Sequence, residues 1–142
     1  MKKAKKSKPK KPKKTAKIVI STDRAPRAVG PYSQAIRMGN LLFISGQIAL
    51  DPVSGNLVGE NVTEQTEQVF KNLKGILASQ RLTLKHLLKT SVYLTNLGEW
   101  TAFNDIYEKN MPAPYPARAT VEVSKLPKGA LVEIEAIAHF DS

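Results

Sequence analysis

The sequence predicts an α+β fold in which two helices cover one face of a sheet. Three observations carry this. Apolar residues recur at helical spacing in two segments, they alternate with polar ones in strand-like segments, and the elements run in the order ββ-α-β-α-ββ.

Each element has its own local reason. Ile18-Val-Ile20 is a short β-prone run, and Arg24–Pro31 is irregular because it holds two prolines and a glycine. Tyr32–Met38 and Leu41–Ile48 read as strands joined at Gly39-Asn40, a two-residue hairpin turn that tolerates positive φ. Asp51–Gly55 reads as a loop. Asn61 is placed to cap a helix, with Glu64 completing a capping-box-like pair. Val62, Thr66, Val69, Leu73 and Ile76 then form a stripe, widened by Phe70 and Leu77, that carries the helix to about Gln80. Leu88–Leu94 alternates as a strand with Leu88, Thr90, Val92 and Leu94 on one face. A second helix starts near Glu99 and lines Trp100, Phe103, Ile106 and Tyr107 along one side. Ala117–Ser124 and Leu131–Phe140 close the chain as strands.

The last two strands show that the sheet has two unlike faces. In the first, Ala119, Val121 and Val123 share one side, opposite Arg118, Thr120, Glu122 and Ser124. In the second, Val132, Ile134, Ala136, Ala138 and Phe140 oppose Leu131, Glu133, Glu135, Ile137 and His139. The apolar sets suit packing under the helices. The mixed face has no segment left to cover it, so it is either plain solvent-facing surface or buried by other copies of the chain; self-association is the expectation, since Leu131 and Ile137 would otherwise lie exposed beside charges.

The net charge of +10 over 142 residues is concentrated at one end. Met1–Lys17 holds ten lysines and no acid, whereas Ile18–Ser142 holds twelve basic and twelve acidic residues. The expected organisation is therefore a disordered lysine-rich tail, 1–17, followed by one domain, 18–142. The tail lacks the apolar core of a secretory signal and the amphipathic arginines of a mitochondrial transit peptide. It reads as a solvated extension, as a nonspecific polyanion contact through Lys2–Lys17, or as a nuclear-import-like address. The chain has no cysteine, which excludes disulfides, thiolate metal sites, iron–sulfur clusters and a cysteine nucleophile. His86 and His139 share no ligand spacing, so no metal site is expected. No apolar run approaches the roughly 20 residues of a membrane-spanning helix, and a cytoplasmic protein is the expectation.

Among residues with chemical potential, Arg118 follows Tyr115-Pro-Ala117 at a strand start, where its planar fork suits a bidentate carboxylate. An ion pair with Glu122 or Glu133 across the sheet is the other reading. Glu133 and Glu135 share a face and could supply a base or hold a water; solvated surface acids are the bland alternative. Gly30-Pro-Tyr-Ser-Gln34 and Ser45-Gly-Gln47 put small residues and the Tyr32 phenol near strand ends, and Gly46 would admit a close approach to the backbone. There is no phosphate-loop spacing and no Gly-x-Ser-x-Gly elbow around Ser45.

Four ordered motifs resemble those of the Rid family, the YjgF-type reactive-intermediate imine deaminases. They are Gly-Pro-Tyr-Ser-Gln-Ala (Gly30–Ala35), Phe-Ile-Ser-Gly-Gln-Ile (Phe43–Ile48), Pro116–Pro127 with its Pro-Ala-Arg-Ala-Thr-Val-Glu-Val start, and Val-Glu-Ile-Glu-Ala-Ile-Ala (Val132–Ala138). The resemblance spans about Arg24–Phe140 and leaves the tail outside. It implies a chorismate-mutase-like two-layer sandwich with a mixed sheet, assembled as a homotrimer whose mixed faces form a central barrel with ligand clefts between subunits. It implies hydrolysis of 2-imino acids such as 2-iminobutanoate and 2-iminopropanoate to 2-oxo acids and ammonia, with no cofactor.

Carried onto this chain, the resemblance makes Arg118, Glu133 and Tyr32 the catalytic residues. Arg118 would clamp the substrate carboxylate and Glu133 would orient or activate water. Tyr32, Ser45 and Gly46 would line the cleft, with Thr120 as a wall or hydroxyl donor and Asn104 as a polar contact. Many members carry cysteine where this chain has Thr120, so a thiol-dependent role is excluded here. Two other functions compete: an RNA-acting protein of the ribonuclease or translation-inhibitor type, recruited by the basic tail, and a non-catalytic binder of carboxylate ligands. The formally neutral domain and the lack of an aromatic stacking platform argue against a specific RNA surface.

Overall fold

The structure is a computed structural model and describes residues 16–141. The expected disorder of the lysine-rich segment falls largely on 1–15, outside the described residues. Six strands, β1 (Ile18–Ile20), β2 (Ala35–Met38), β3 (Leu41–Gln47), β4 (Leu87–Leu94), β5 (Ala117–Glu122) and β6 (Val132–His139), form one sheet in the order β1-β2-β3-β6-β4-β5. The sheet is mixed: β4 and β5 run parallel, and every other neighbouring pair is antiparallel. Two helices, α1 (Val62–Ser79) and α2 (Trp100–Asn110), pack on one face. The α+β sandwich read from the sequence is the observed architecture.

The β2–β3 hairpin turns at Gly39-Asn40, with Met38 paired to Leu41 and Gly39 at φ 59°. Helix α1 starts as expected: Asn61 Oδ1 accepts the Glu64 amide at 2.9 Å. The Glu64 carboxylate reaches the Glu60 amide at 2.8 Å, one residue before the cap, so the reciprocal bond is shifted rather than absent. The stripe Val62, Thr66, Val69, Phe70, Leu73, Ile76 and Leu77 is wholly buried. It packs on Leu42, Ile44, Val132, Ile134, Ala136 and Ala138, each fully buried apolar side chain contributing roughly 1.5–3 kcal/mol. Three buried polar side chains anchor α1 to the loops that frame the site. Asn72 Nδ2 donates to the carbonyls of Ile48 and Leu50 at 3.1 and 2.9 Å, while Gln68 donates to Asn72 Oδ1 at 3.1 Å. Gln65 donates to the Gly59 carbonyl and accepts the Leu131 amide at 2.8 Å.

The structure corrects four expectations. The strand read from Tyr32 begins only at Ala35, because Pro31-Tyr32 lies in a turn closed by the Tyr32 amide on the Gly30 carbonyl at 2.8 Å. In β4 a register shift between Leu87 and Lys89 moves the inward side chain from Leu88 to Leu87: Leu87 is 5% exposed and Leu88 46%. In β5 the faces are reversed. Pairing of Thr90 with Arg118 and Val92 with Thr120 puts Arg118 and Thr120 on the helix side, while Val121 faces away from the helices, 46% exposed. An edge strand at the margin of the core can place an arginine there because helix α2 offers it aromatic faces instead of aliphatic ones. Finally, Leu131 and Ile137 are half-buried within the chain. The apolar side chains exposed on the uncovered face are Val19, Met38, Leu41, Phe43 and Val121.

Candidate functional site

The bulge in β3 builds the first part of the site. Pairing with β6 slips between Ile44 and Gln47, so Ser45-Gly46 is released from the ladder opposite Glu135, with the Glu133 side chain against Gly46. A Cβ at Gly46 would sit 2.8 Å from Cδ of Glu133, so what comes close to this backbone is a carboxylate of the chain itself. The Ser45 hydroxyl donates to the Ser33 carbonyl at 2.5 Å and the Ser45 amide to the Gln34 carbonyl at 3.0 Å, pinning the Pro31–Gln34 turn against β3. Gln34, buried at 4% exposure, accepts the Thr22 amide at 2.7 Å and donates to the Thr22 and Pro26 carbonyls at 2.9 and 2.8 Å. That network fixes the Thr22–Pro26 strand of loop over the cleft.

The result is a cavity of about 380 Å³ in which Tyr32, Ser45, Gly46, Glu133, Glu135 and Arg27 meet. Tyr32 is half exposed at its rim. Burial, with the charge of Glu135 acting in the same direction, raises the pKa of Glu133 above the usual carboxylate range. Glu135 is engaged separately, accepting a bond from the Tyr93 hydroxyl at 3.0 Å.

Arg118 lies elsewhere. It shares a second cavity of about 340 Å³ with Asn104, Tyr107, Glu108, Tyr115 and Pro116. Neither Glu122 nor Glu133 pairs with it; Glu122 instead accepts the Leu97 amide at 2.9 Å. The Arg118 guanidinium carbon lies 4.7 Å from the Tyr107 ring centroid and 5.1 Å from that of Trp100. Thr120, one step along the same face, has a buried Oγ1 without a hydrogen-bond partner among the described residues.

The anticipated residues therefore fall into two groups. Tyr32, Ser45, Gly46 and Glu133 are together in one cleft, and Arg118, Asn104 and Thr120 are on the other side of the sheet. Within one chain β4 lies between β5 and β6, and Glu133 pairs with Tyr93 on the uncovered face while Arg118 pairs with Thr90 on the helix face. Sequence reasoning missed Arg27, the anchoring role of Gln34 and the role of the Trp100–Tyr107 stripe. That stripe was legible as apolar periodicity, but periodicity does not tell a core contact from the floor beneath an arginine. No cluster of three or more metal-binding side chains occurs among the described residues.

The family model for Endoribonuclease L-PSP matches residues 22–140. The human 2-iminobutanoate/2-iminopropanoate deaminase is 43% identical over 120 residues, covering 84% of this chain and 88% of the human protein. The crystal structure of RidA from the Antarctic bacterium Psychrobacter superposes with a TM-score of 0.84 at 45% identity, covering 87% of this chain and 99% of that one. Escherichia coli TdcF, solved with bound serine, superposes with a TM-score of 0.82 at 35% identity over 87% of this chain and 99% of its own. Motifs, sheet topology and these likenesses agree: the chain belongs to the Endoribonuclease L-PSP family, which is that of the Rid proteins.

Proposed function

We propose that the protein is a 2-imino acid deaminase. It would convert substrates of the 2-iminobutanoate and 2-iminopropanoate type, with water, into the 2-oxo acid and ammonia. The observation that carries this reading is the pairing of chemistries: a guanidinium with no acidic partner among the described residues, and a half-buried carboxyl of raised pKa in a cleft. The human relative bears the name of this activity, and TdcF holds an amino acid, a ligand whose carboxylate Arg118 would suit.

In the proposed mechanism Arg118 binds the substrate carboxylate by its forked donors. The imine carbon is already electrophilic, so a positioned water suffices as nucleophile. Glu133 takes a proton from that water as its oxygen bonds to the imine carbon. It delivers that proton to nitrogen as the C=N π pair moves there, giving the carbinolamine. It then carries the second proton from the new hydroxyl to nitrogen as the C=O bond forms, the C–N bond breaks and ammonia leaves. Tyr32 closes one side of the cleft, Ser45 and Gly46 form its floor, and Asn104 and Thr120 offer polar contacts near Arg118.

Because Arg118 and Glu133 face opposite ways within one chain, a shared substrate requires a second copy. The reading therefore includes a homotrimer in which the helix side of one β5 faces the Glu133 cleft of its neighbour. The exposed Phe43, Leu41, Met38 and Val121 on the uncovered face support such an assembly. The test is release of 2-oxo acid and ammonia from freshly generated 2-iminobutanoate or 2-iminopropanoate. Wild type should accelerate it well beyond buffer and Arg118→Ala should not; no acceleration by a folded wild-type assembly would sink the assignment.

A nucleic-acid contact is a second reading, favoured by one observation: the excess charge lies in Met1–Lys17, before the family match begins at residue 22. Removing Met1–Lys14 should abolish binding to duplex RNA or DNA and leave deaminase activity intact, and binding by the full chain should fall steeply with salt.

A further inference from the structure

Arg118 is held by aromatic faces and not by acids. The Phe103 ring centroid, 5.6 Å away, joins those of Tyr107 and Trp100 around its guanidinium carbon. Among the described residues the ion pairs are His86–Asp141 and Lys109–Glu67, and no hydrogen bond leaves the guanidinium. The rings are fixed in their turn. The Tyr107 hydroxyl and Thr90 Oγ1 are hydrogen-bonded at 2.8 Å, and Tyr107 packs edge-on against Phe70 at 5.7 Å. Phe103 is fully buried. Trp100, the first residue of α2, is 41% exposed and lies at the open side of the group.

A carboxylate neighbour would orient an arginine by occupying the N–H donors that a ligand needs. An aromatic ring attracts the cation through its face and takes none of them. Restraint before binding also lowers the entropy lost when the ligand arrives. We propose that Trp100, with Phe103 and Tyr107 behind it, is a positioning residue that presets Arg118 for a carboxylate ligand. The inference rests on the assignment of Arg118 as the carboxylate clamp of the proposed deaminase.

Trp100 can be changed without opening the core, because it is partly exposed. It is also the single tryptophan of the chain, so its emission reports directly on events at Arg118. The experiment measures binding of 2-oxobutanoate by calorimetry to the full-length wild type, Trp100→Phe and Trp100→Leu, with melting temperature as the folding control. Trp100→Leu should weaken binding about 3- to 30-fold, as expected for loss of one partly exposed to partly buried cation–π contact. Trp100→Phe should stay within about threefold of wild type, since a ring face remains. In kinetics with the imine substrate, KM should rise in the leucine variant by the same factor, with a smaller fall in kcat.

In an Arg118→Ala background, Trp100→Leu should have no further effect on binding. This also covers a leucine variant that packs poorly, since a general packing defect would weaken binding again. Trp100→Leu binding like wild type, Trp100→Phe failing as badly as Trp100→Leu, or a further loss in the Arg118→Ala background would each overturn the proposal. Failure of the deaminase reading looks different: imines would hydrolyse no faster than in buffer while 2-oxobutanoate still bound and still depended on Trp100. No binding of 2-oxobutanoate by wild type would remove the clamp and the cradle together.

Discussion

Burial disfavours the charged form of Glu133, and the charge of Glu135 pushes the same way. Its pKa in the folded chain therefore lies above the unfolded value, so the folded state holds the proton more tightly. The stabilisation this provides is complete below the ordinary carboxylate pKa of about 4.3 and is lost as pH rises through the raised pKa. Glu133→Gln should consequently be more stable than wild type at neutral pH, with the difference shrinking as pH falls. Urea midpoints taken across pH 4 to 8 check this, and a gap that widened on acidification would contradict it. The proposed base must be ionised to take a proton from water, so kcat/KM should fall with acid on a limb above the usual carboxylate range. Glu133→Gln should lose about 10²- to 10⁴-fold in rate while keeping its affinity for 2-oxobutanoate. Gly46 belongs to the same geometry. Gly46→Ala would meet the Glu133 carboxyl carbon at 2.8 Å, and since that is the end of a flexible side chain, the carboxyl moves and the backbone stays. The expected result is a folded protein with a melting point close to wild type and a kcat reduced about 10- to 100-fold through displacement of its base.

Helix α1 shows where pattern suffices and where it does not. Its cap at Asn61 and its apolar stripe were readable because both depend on residues within one or two turns. Gly75 was not, because its reason lies 51 residues away: a Cβ there would run into the Arg24 carbonyl oxygen. In an exposed helix, alanine for glycine gains about 1 kcal/mol. At Gly75 the obstacle is backbone, which cannot rotate aside, so Gly75→Ala should destabilise by about 1–3 kcal/mol, read as a lower urea midpoint with unchanged slope. Strand β4 carries a similar lesson. Strict alternation assigns Leu88 to the core, but one bulged residue transfers that role to Leu87. Leu87→Ala should cost about 2–5 kcal/mol and Leu88→Ala within about 0.5 kcal/mol, unless Leu88 is covered in the assembly. In β5, alternation identified the two side-chain sets correctly but not which set faces the helices. Arg118 and Thr120 point inward only because α2 brings Trp100, Phe103 and Tyr107 to that edge, a tertiary fact with no local signature.

The layer of two helices on one face of the sheet followed from the sequence of elements, and Tyr32, Ser45, Gly46 and Glu133 gather in one cleft as the motifs implied. The separation of Arg118 from that cleft was illegible, since strand sequence fixes neither the order β6-β4-β5 nor the inward turn of β5. Yet this separation makes the strongest demand on the assembled molecule. If one substrate touches both residues, they come from different copies, and the exposed apolar side chains of the uncovered face supply a reason for copies to associate. Two inactive variants then contain every part of an active site between them. Arg118→Ala chains retain Glu133 and Glu133→Gln chains retain Arg118. Dissociated, mixed at equal amounts and reassembled, random closed rings would rebuild about one site in four with both groups intact. Deaminase activity should therefore reappear at about a quarter of the wild-type level, although each variant reassembled alone stays inactive. Subunit exchange is verified independently by mass-tagging one variant. Verified exchange without recovered activity would mean that Arg118 and Glu133 do not act on one substrate across a subunit boundary, and the shared-site geometry would fall with it.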